Sequence, residues 1–155
     1  MKTASEGEAI VPVVLVGHGP LATGLAGAVT MICGPQDRVE VVQLRPEDDT
    51  ERVAGRLEKA LARMGVGTDD EALIFVDLFG AAPANAAASL LRTHSRLEIV
   101  AGMNLPMLVE TLLGREGVTA RELADRALAA GKESIRDVAD VIRSAIAARK
   151  GDARG

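Results

Sequence analysis

Two residues able to do chemistry stand at the ends of apolar runs. Ala9-Ile-Val-Pro-Val-Val-Leu-Val-Gly17 leads into His18, with Gly19 behind it, and Glu71-Ala-Leu-Ile-Phe-Val-Asp77 ends in a carboxylate. In a parallel α/β sheet, ligands and chemistry gather outside the carboxyl ends of strands, so an imidazole and a carboxylate at two such ends can meet. A neutral imidazole has one N–H and one lone pair. A carboxylate that accepts the N–H fixes the tautomer, frees the other nitrogen to attack, and stabilises the positive character that then develops. Such a pair transfers protons or phosphoryl groups, with His18 as nucleophile and Asp77 as its partner. Gly17 and Gly19 leave the ring accessible and allow a sharp turn. The same positions equally suit a satisfied strand-end histidine and a helix-capping aspartate, and position alone does not choose.

The segment after Asp77, Leu78-Phe79-Gly80-Ala81-Ala82-Pro83-Ala84-Asn85, adds a place for an anion. Gly80, Ala81 and Ala82 are small enough to admit a ligand to the backbone, and the N–H groups that open the following helix point at it. Gly19, Phe79, Asn85 and Asn104 are candidates to line the same site; Asn85 equally reads as a first-turn neighbour of a cap. No Gly-Lys-[Ser/Thr] or Gly-x-Gly-x-x-Gly follows a strand, so a nucleotide is not expected. Ser5, Ser89, Ser95, Ser134 and Ser144 lie in no Gly-x-Ser-x-Gly elbow, which disfavours a serine hydrolase. With two histidines and one cysteine, neither a zinc site nor a disulfide is expected. Cys33 reads as a buried thiol and His94 as a solvated residue at a helix end. No cofactor is called for.

The elements that must position these groups alternate between strand and helix periods. Strands are expected at 10–16, 38–44, 71–77 and 97–101. Leu21, Leu25, Val29 and Ile32 mark a first helix stopped by Gly34-Pro35. Pro46-Glu-Asp-Asp49 offers a cap for a second, with Val53, Leu57, Leu61 and Met64 on its apolar stripe. A third runs from about Pro83 to Thr93, and a fourth from Asn104 to Gly114. Thr119 and Glu122 have capping-box spacing for a last helical region reaching about Arg149, with Gly131 as a bend or break. Four βα units with short loops imply an α/β fold with a doubly wound, mostly parallel four-stranded sheet. The whole chain, 1–155, reads as one domain with its core at about 10–145 and frayed ends at 1–8 and 150–155. Beyond Pro106 there is more apolar helix than four short strands can cover. That surplus fits either a subunit interface or one larger helical layer.

Composition narrows the partners. Phe75 and Phe79 are the only aromatic residues and the net charge is −4, so base stacking and phosphate tracking are both disfavoured and no nucleic-acid partner is expected. An acidic surface would instead steer toward a basic protein. The N-terminus lacks a signal-peptide apolar region and no apolar run could span a bilayer, so a soluble cytoplasmic protein without membrane insertion is expected.

Three motifs in order carry a family resemblance: Val16-Gly-His-Gly19, Val76-Asp-Leu-Phe-Gly80 with Pro83 and Asn85, and Ala101-Gly-Met-Asn-Leu-Pro-Met-Leu-Val-Glu110. Over roughly residues 10–145 the chain resembles the mannose-family enzyme IIA of the bacterial phosphoenolpyruvate:sugar phosphotransferase system. The resemblance implies a cytoplasmic protein-histidine phosphotransferase. His18 would take a phosphoryl group from the phosphocarrier HPr and pass it to a IIB component, which serves a IIC/IID permease. It implies Asp77 as the hydrogen-bonded partner of His18, and a homodimer whose sheet is completed by a strand exchanged between subunits. The family usually reads Gly-Gly-Ser-Pro-Phe-Asn where this chain has Gly80-Ala-Ala-Pro-Ala-Asn85, so Ala82 lacks the serine hydroxyl that would help hold the phosphoryl group, and Ala84 lacks an aromatic ring. No IIB domain follows, which reads as a stand-alone component. The alternatives are a regulatory phosphoprotein of the same fold, the phosphotransfer subunit of a dihydroxyacetone kinase, and a non-catalytic interaction protein. Residues cannot name the sugar.

Overall fold

The computed structural model describes residues 9–152. Its sheet has four parallel strands, β1 (Val13–His18), β2 (Val39–Leu44), β3 (Ala72–Val76) and β4 (Leu97–Ala101), in the order β2-β1-β3-β4. Six helices surround it: α1 (Leu21–Cys33), α2 (Thr50–Arg63), α3 (Ala82–Ser89, continued by a 3-10 turn Leu90–Arg92), α4 (Leu105–Leu113), α5 (Ala120–Glu133) and α6 (Val138–Asp152). This is the doubly wound α/β architecture expected from the alternating periods.

The strand alternation separates two cores. Val13, Leu15, Leu73, Phe75 and Val100 face α1, α4 and α5, whereas Val14, Val16, Ile74, Val76 and Leu97 face α2 and α3. Successive side chains of a strand point to opposite faces, so continuously apolar strands demand helices on both. With Phe75 the one buried aromatic ring, aliphatic packing dominates the interior.

Local signals set most helix starts. Asp49 accepts the Arg52 N–H at 2.8 Å and caps α2, while Thr119 and Glu122 form the expected capping box on α5. Asn104 caps α4 by accepting the Met107 N–H at 3.1 Å, and Gly114 closes it.

Three expectations change. β1 covers 13–18 rather than 10–16, because pairing with β2 continues through His18 opposite Leu44; Ile10 instead makes an antiparallel bridge to Glu116. The last helical region breaks at 134–137 and not at Gly131. Gly131 lies inside α5 against α4, where an added Cβ would sit 2.5 Å from Met107 Cε, so this glycine serves close helix approach. Asp137 starts the new helix by accepting the Asp140 N–H at 3.0 Å. Third, the surplus apolar surface begins later than Pro106, since α4 and α5 bury most of their stripes in the core and, among the described large apolar residues, Leu113, Ile135 and the α6 residues Val138, Val141, Ile142 and Ile146 stay exposed. Cys33 is half-buried. Of the expected frayed ends, 1–8 and 153–155 lie outside the described residues, and 150–152 belong to α6.

Sequence reading also missed Arg115. Only 4% exposed, it donates to the main-chain carbonyls of Val11, Arg38 and Asp37 and ties together the starts of β1 and β2.

Candidate functional site

The strand order decides where a site can form. From β1 the chain crosses to β2 on one side, and β3 and β4 lie on the other, so the crevice of a doubly wound sheet opens at the carboxyl ends of β1 and β3. His18 is the last residue of β1, and Asp77 follows Val76, the last residue of β3, whose register partner is Val16.

One carboxylate oxygen holds His18 twice. Asp77 Oδ2 accepts the His18 main-chain N–H at 2.7 Å and lies 2.9 Å from His18 Nδ1. A carboxylate opposite Nδ1 assigns the proton to that nitrogen and leaves the lone pair on Nε2. The His18 side chain is 49% exposed and that of Asp77 only 8%. Burial pushes the Asp77 carboxyl upward. The hydrogen bonds from the His18 N–H and ring, the charge of the imidazole, and the Leu78 N–H together outweigh it, leaving the group below its ordinary value. Asp77 Oδ1 is buried with no partner among the described residues.

Glycines make room for this contact. A Cβ on Gly17 would lie 3.1 Å from both Asp77 Oδ2 and Met103 Cε. Gly19, at φ 53°, turns the chain into α1 while its N–H donates to Leu44 O at 3.0 Å. Met103 comes from the Gly102-Met103 turn that ends β4; its N–H, like that of Gly102, donates to Val76 O.

The remaining candidates divide. Gly80, at φ 78°, and Ala81 lead into α3, which opens at Ala82 with no side chain capping it, so its first N–H groups are not spent on a protein cap. Asn85 Nδ2 reaches Gly80 O at 3.4 Å, which braces that loop. Phe79 is 87% exposed. Asn104 is engaged in the scaffold: its oxygen caps α4 and its Nδ2 donates to Gly131 O at 3.2 Å. His94 is half-buried at a helix end, with Nδ1 3.1 Å from Thr93 Oγ1.

Three contributors escaped sequence reading. Arg45 and Pro46, in the loop after β2, share a cleft with His18, Gly19 and Leu44. A cation immediately after a strand was the available signal for Arg45. Met103, whose Cε packs beside Gly17, follows β4 in the third motif and carried no signal of its own.

The pair is a half-exposed imidazole backed by a buried carboxylate held below its ordinary value, a few residues ahead of an uncapped helix start. Comparison with known proteins places the chain in a family. The model of the family described as PTS system fructose IIA component matches residues 12–128. The chain is 30% identical over 125 residues to the PTS system fructose-specific EIIA component of Bacillus subtilis, covering 81% of this chain and 84% of that protein. It is 31% identical over 127 residues to the PTS system mannose-specific EIIAB component of Escherichia coli, covering 81% of this chain but 39% of that longer protein. Among solved structures, the mannose/sorbose-specific IIA subunit of the phosphotransferase system from Enterococcus faecalis superimposes with a TM-score of 0.76 at 26% identity, over 84% of this chain and 96% of that one.

Proposed function

The chain belongs to the enzyme IIA family of the sugar phosphotransferase system and has a phosphotransfer role there, and from that premise we propose that His18 carries the phosphoryl group on Nε2. The observation that carries this reading is the contact of Asp77 Oδ2 with Nδ1, which leaves Nε2 on the exposed side of a half-exposed ring.

In the proposed step, the Nε2 lone pair forms a bond to phosphorus while the bond from phosphorus to the donor side chain breaks, its electron pair leaving with the donor. The Nδ1 proton stays in place, and Asp77 offsets the positive character of the phosphorylated ring. Gly80, Ala81 and Ala82 offer main-chain N–H groups to the phosphoryl oxygens. The reverse chemistry passes the group onward. The donor is phospho-HPr and the acceptor a IIB component feeding a IIC/IID permease, roles supported by family membership. Beyond that lies a homodimer located in the cytoplasm. Its support is the exposed apolar side of α6 together with exposed Ile135 in the 134–137 connection.

Incubation with phosphoenolpyruvate, enzyme I and HPr, followed by intact-mass measurement, tests the proposal. One added phosphoryl group, labile to acid, stable to base and mapped to His18, is expected; no gain in mass overturns it. A regulatory role for phospho-His18 is the second reading, favoured by the missing hydroxyl at Ala82. Genes for IIB, IIC and IID found beside this one would support the transport role instead.

A further inference from the structure

Among the arginines from Arg38 to Arg63, all but one have partners. Arg38 donates to Met64 O, Arg52 lies beside Asp49, Arg56 pairs with Asp48 and Arg63 with Glu40. Arg45 is the exception. Its main-chain N–H donates to Asp48 Oδ2 at 2.7 Å, but among the described residues its guanidinium makes no ion pair and no hydrogen bond. Its place in the fold is specific. His18 is in register with Leu44, and the Gly19 N–H donates to Leu44 O at 3.0 Å, so the Cα of Arg45 lies within about 9 Å of that of His18. Because β1 is flanked by β2 and β3, Arg45 stands on one side of His18 and Asp77 on the other. The cleft that His18 shares with Arg45 is lined by one carboxylate, that of Asp48, which is 9% exposed and already engaged by Arg56. On the α3 side, Gly80, Ala81 and Ala82 have only main-chain donors to offer.

We infer that the Arg45 guanidinium binds the phosphoryl group carried on Nε2 of His18 and stabilises it during transfer. This inference rests on the reading of His18 as the phosphoryl carrier. The Asp77 carboxylate that holds the ring also repels the incoming phosphoryl group, and a cation on the opposite side offsets that repulsion without touching Nδ1. In a loose phosphoryl-transfer transition state the charge is spread over three equatorial oxygens. Main-chain N–H groups at the start of α3 approach these oxygens from one side, and a planar guanidinium can take two of them at once from the other. The bond from Nε2 to phosphorus forms as the bond to the donor breaks, its electron pair leaving with the donor, and Arg45 neither gives nor takes a proton. No existing contact has to break before the guanidinium turns to the phosphoryl group. Arg45 is exposed, so water and salt screen its charge, and its effect is smaller than that of a buried oxyanion donor.

The test compares wild type, Arg45→Ala, Arg45→Lys and Arg52→Ala. Arg52 is the matched control, since it carries the same charge on α2 but does not line the His18 cleft. Rapid-quench transfer from phospho-HPr of the same organism, over a range of donor concentrations, separates kcat from KM. Phosphorus NMR of phospho-His18 gives the pH midpoint at which its phosphoryl group takes up a proton. For Arg45→Ala, kcat should fall about tenfold. The midpoint should rise by about half a pH unit or more, because loss of the cation disfavours the dianion. Arg45→Lys should fall between, keeping the charge but losing the fork. Arg52→Ala should match wild type in both. The two Arg45 variants should melt with wild type, because the guanidinium has no partner to lose. A kcat for Arg45→Ala within about twofold of wild type, an effect confined to KM, a midpoint that does not move, or an equal loss in Arg52→Ala overturns the role of Arg45 alone. Wild type that takes no phosphoryl group from phospho-HPr at any concentration overturns the carrier reading, and Arg45 with it.

Discussion

His18 and Asp77 are joined through a single oxygen: Asp77 Oδ2 lies 2.7 Å from the His18 main-chain nitrogen and 2.9 Å from its ring Nδ1. The carboxylate therefore fixes the strand end and the ring together, and the ring cannot turn about χ1 without losing one of its two anchors. Asp77→Asn keeps the shape but can present its NH₂ to the ring, favouring the wrong tautomer and removing the charge. Phosphoryl transfer to and from His18 should slow by roughly 10²–10⁴, with far less effect on folding. Rapid-quench kinetics decide this, and transfer within about twofold of wild type makes Asp77 a structural cap only.

The same contacts predict a pH dependence. Although burial raises it, the Asp77 carboxyl is held below its ordinary value by its His18 hydrogen bonds, the imidazole charge and the nearby Leu78 N–H. A carboxyl depressed by folding adds stability above its unfolded value, about 3.9, and that stability is lost as pH falls through the folded value. The stability gap between wild type and Asp77→Asn should therefore be widest near neutrality and narrow below about pH 4. Urea unfolding at the two ends of that range measures it; a constant gap contradicts the pairing.

His18→Ala should take up no phosphoryl group and remain folded, since the exposed ring contributes little packing. His94→Ala is the matched control, its ring lying beside Thr93 at a helix end. Intact-mass spectra of both after treatment with phospho-HPr give the answer, and full labelling of His18→Ala removes the assignment.

Ala82→Ser should speed transfer. A hydroxyl at the first position of α3 would add a hydrogen bond to a charged group, worth about 1.5–3 kcal/mol. That corresponds to about ten- to hundredfold if realised in the transition state and not in the bound donor. Unchanged kinetics would mean the main-chain N–H groups already hold the phosphoryl oxygens.

Light scattering at micromolar concentration should return about twice the chain mass of 16.1 kDa. Replacing exposed Ile135 or Ile142 by Asp should shift the protein toward monomer while sparing the sheet, because neither belongs to the buried cores. A wild type that scatters as a single chain excludes the dimer.

Much was legible in the residues alone, for local reasons. Apolar runs without alternation meant strands covered on both faces, and the apolar stripe of Val53, Leu57 and Leu61 meant a helix. Asp49 and the Thr119–Glu122 pair set helix starts because a capping side chain reaches only its own first turn. The ends of β1 and β3 could be named as sites of chemistry for the same reason: a glycine, a histidine or an aspartate after an apolar run is a statement about neighbours in sequence.

Tertiary structure decided what depends on residues far apart in the chain. No local pattern encodes that β3 lies beside β1, yet that order alone lets one oxygen of Asp77 hold the main-chain nitrogen and Nδ1 of His18. Nor does sequence show that Gly17 faces Asp77 and Met103, or that Gly131 is a contact with Met107 instead of a bend, because a missing side chain is explained only by what occupies its space. Asn104 is the same case: a polar residue in a telling motif, engaged by Met107 and by Gly131 on the next helix. Periodicity and capping act over one or two turns and so survive in the sequence. Strand order, close approach and the exposure of Phe79 are set by packing the whole chain at once.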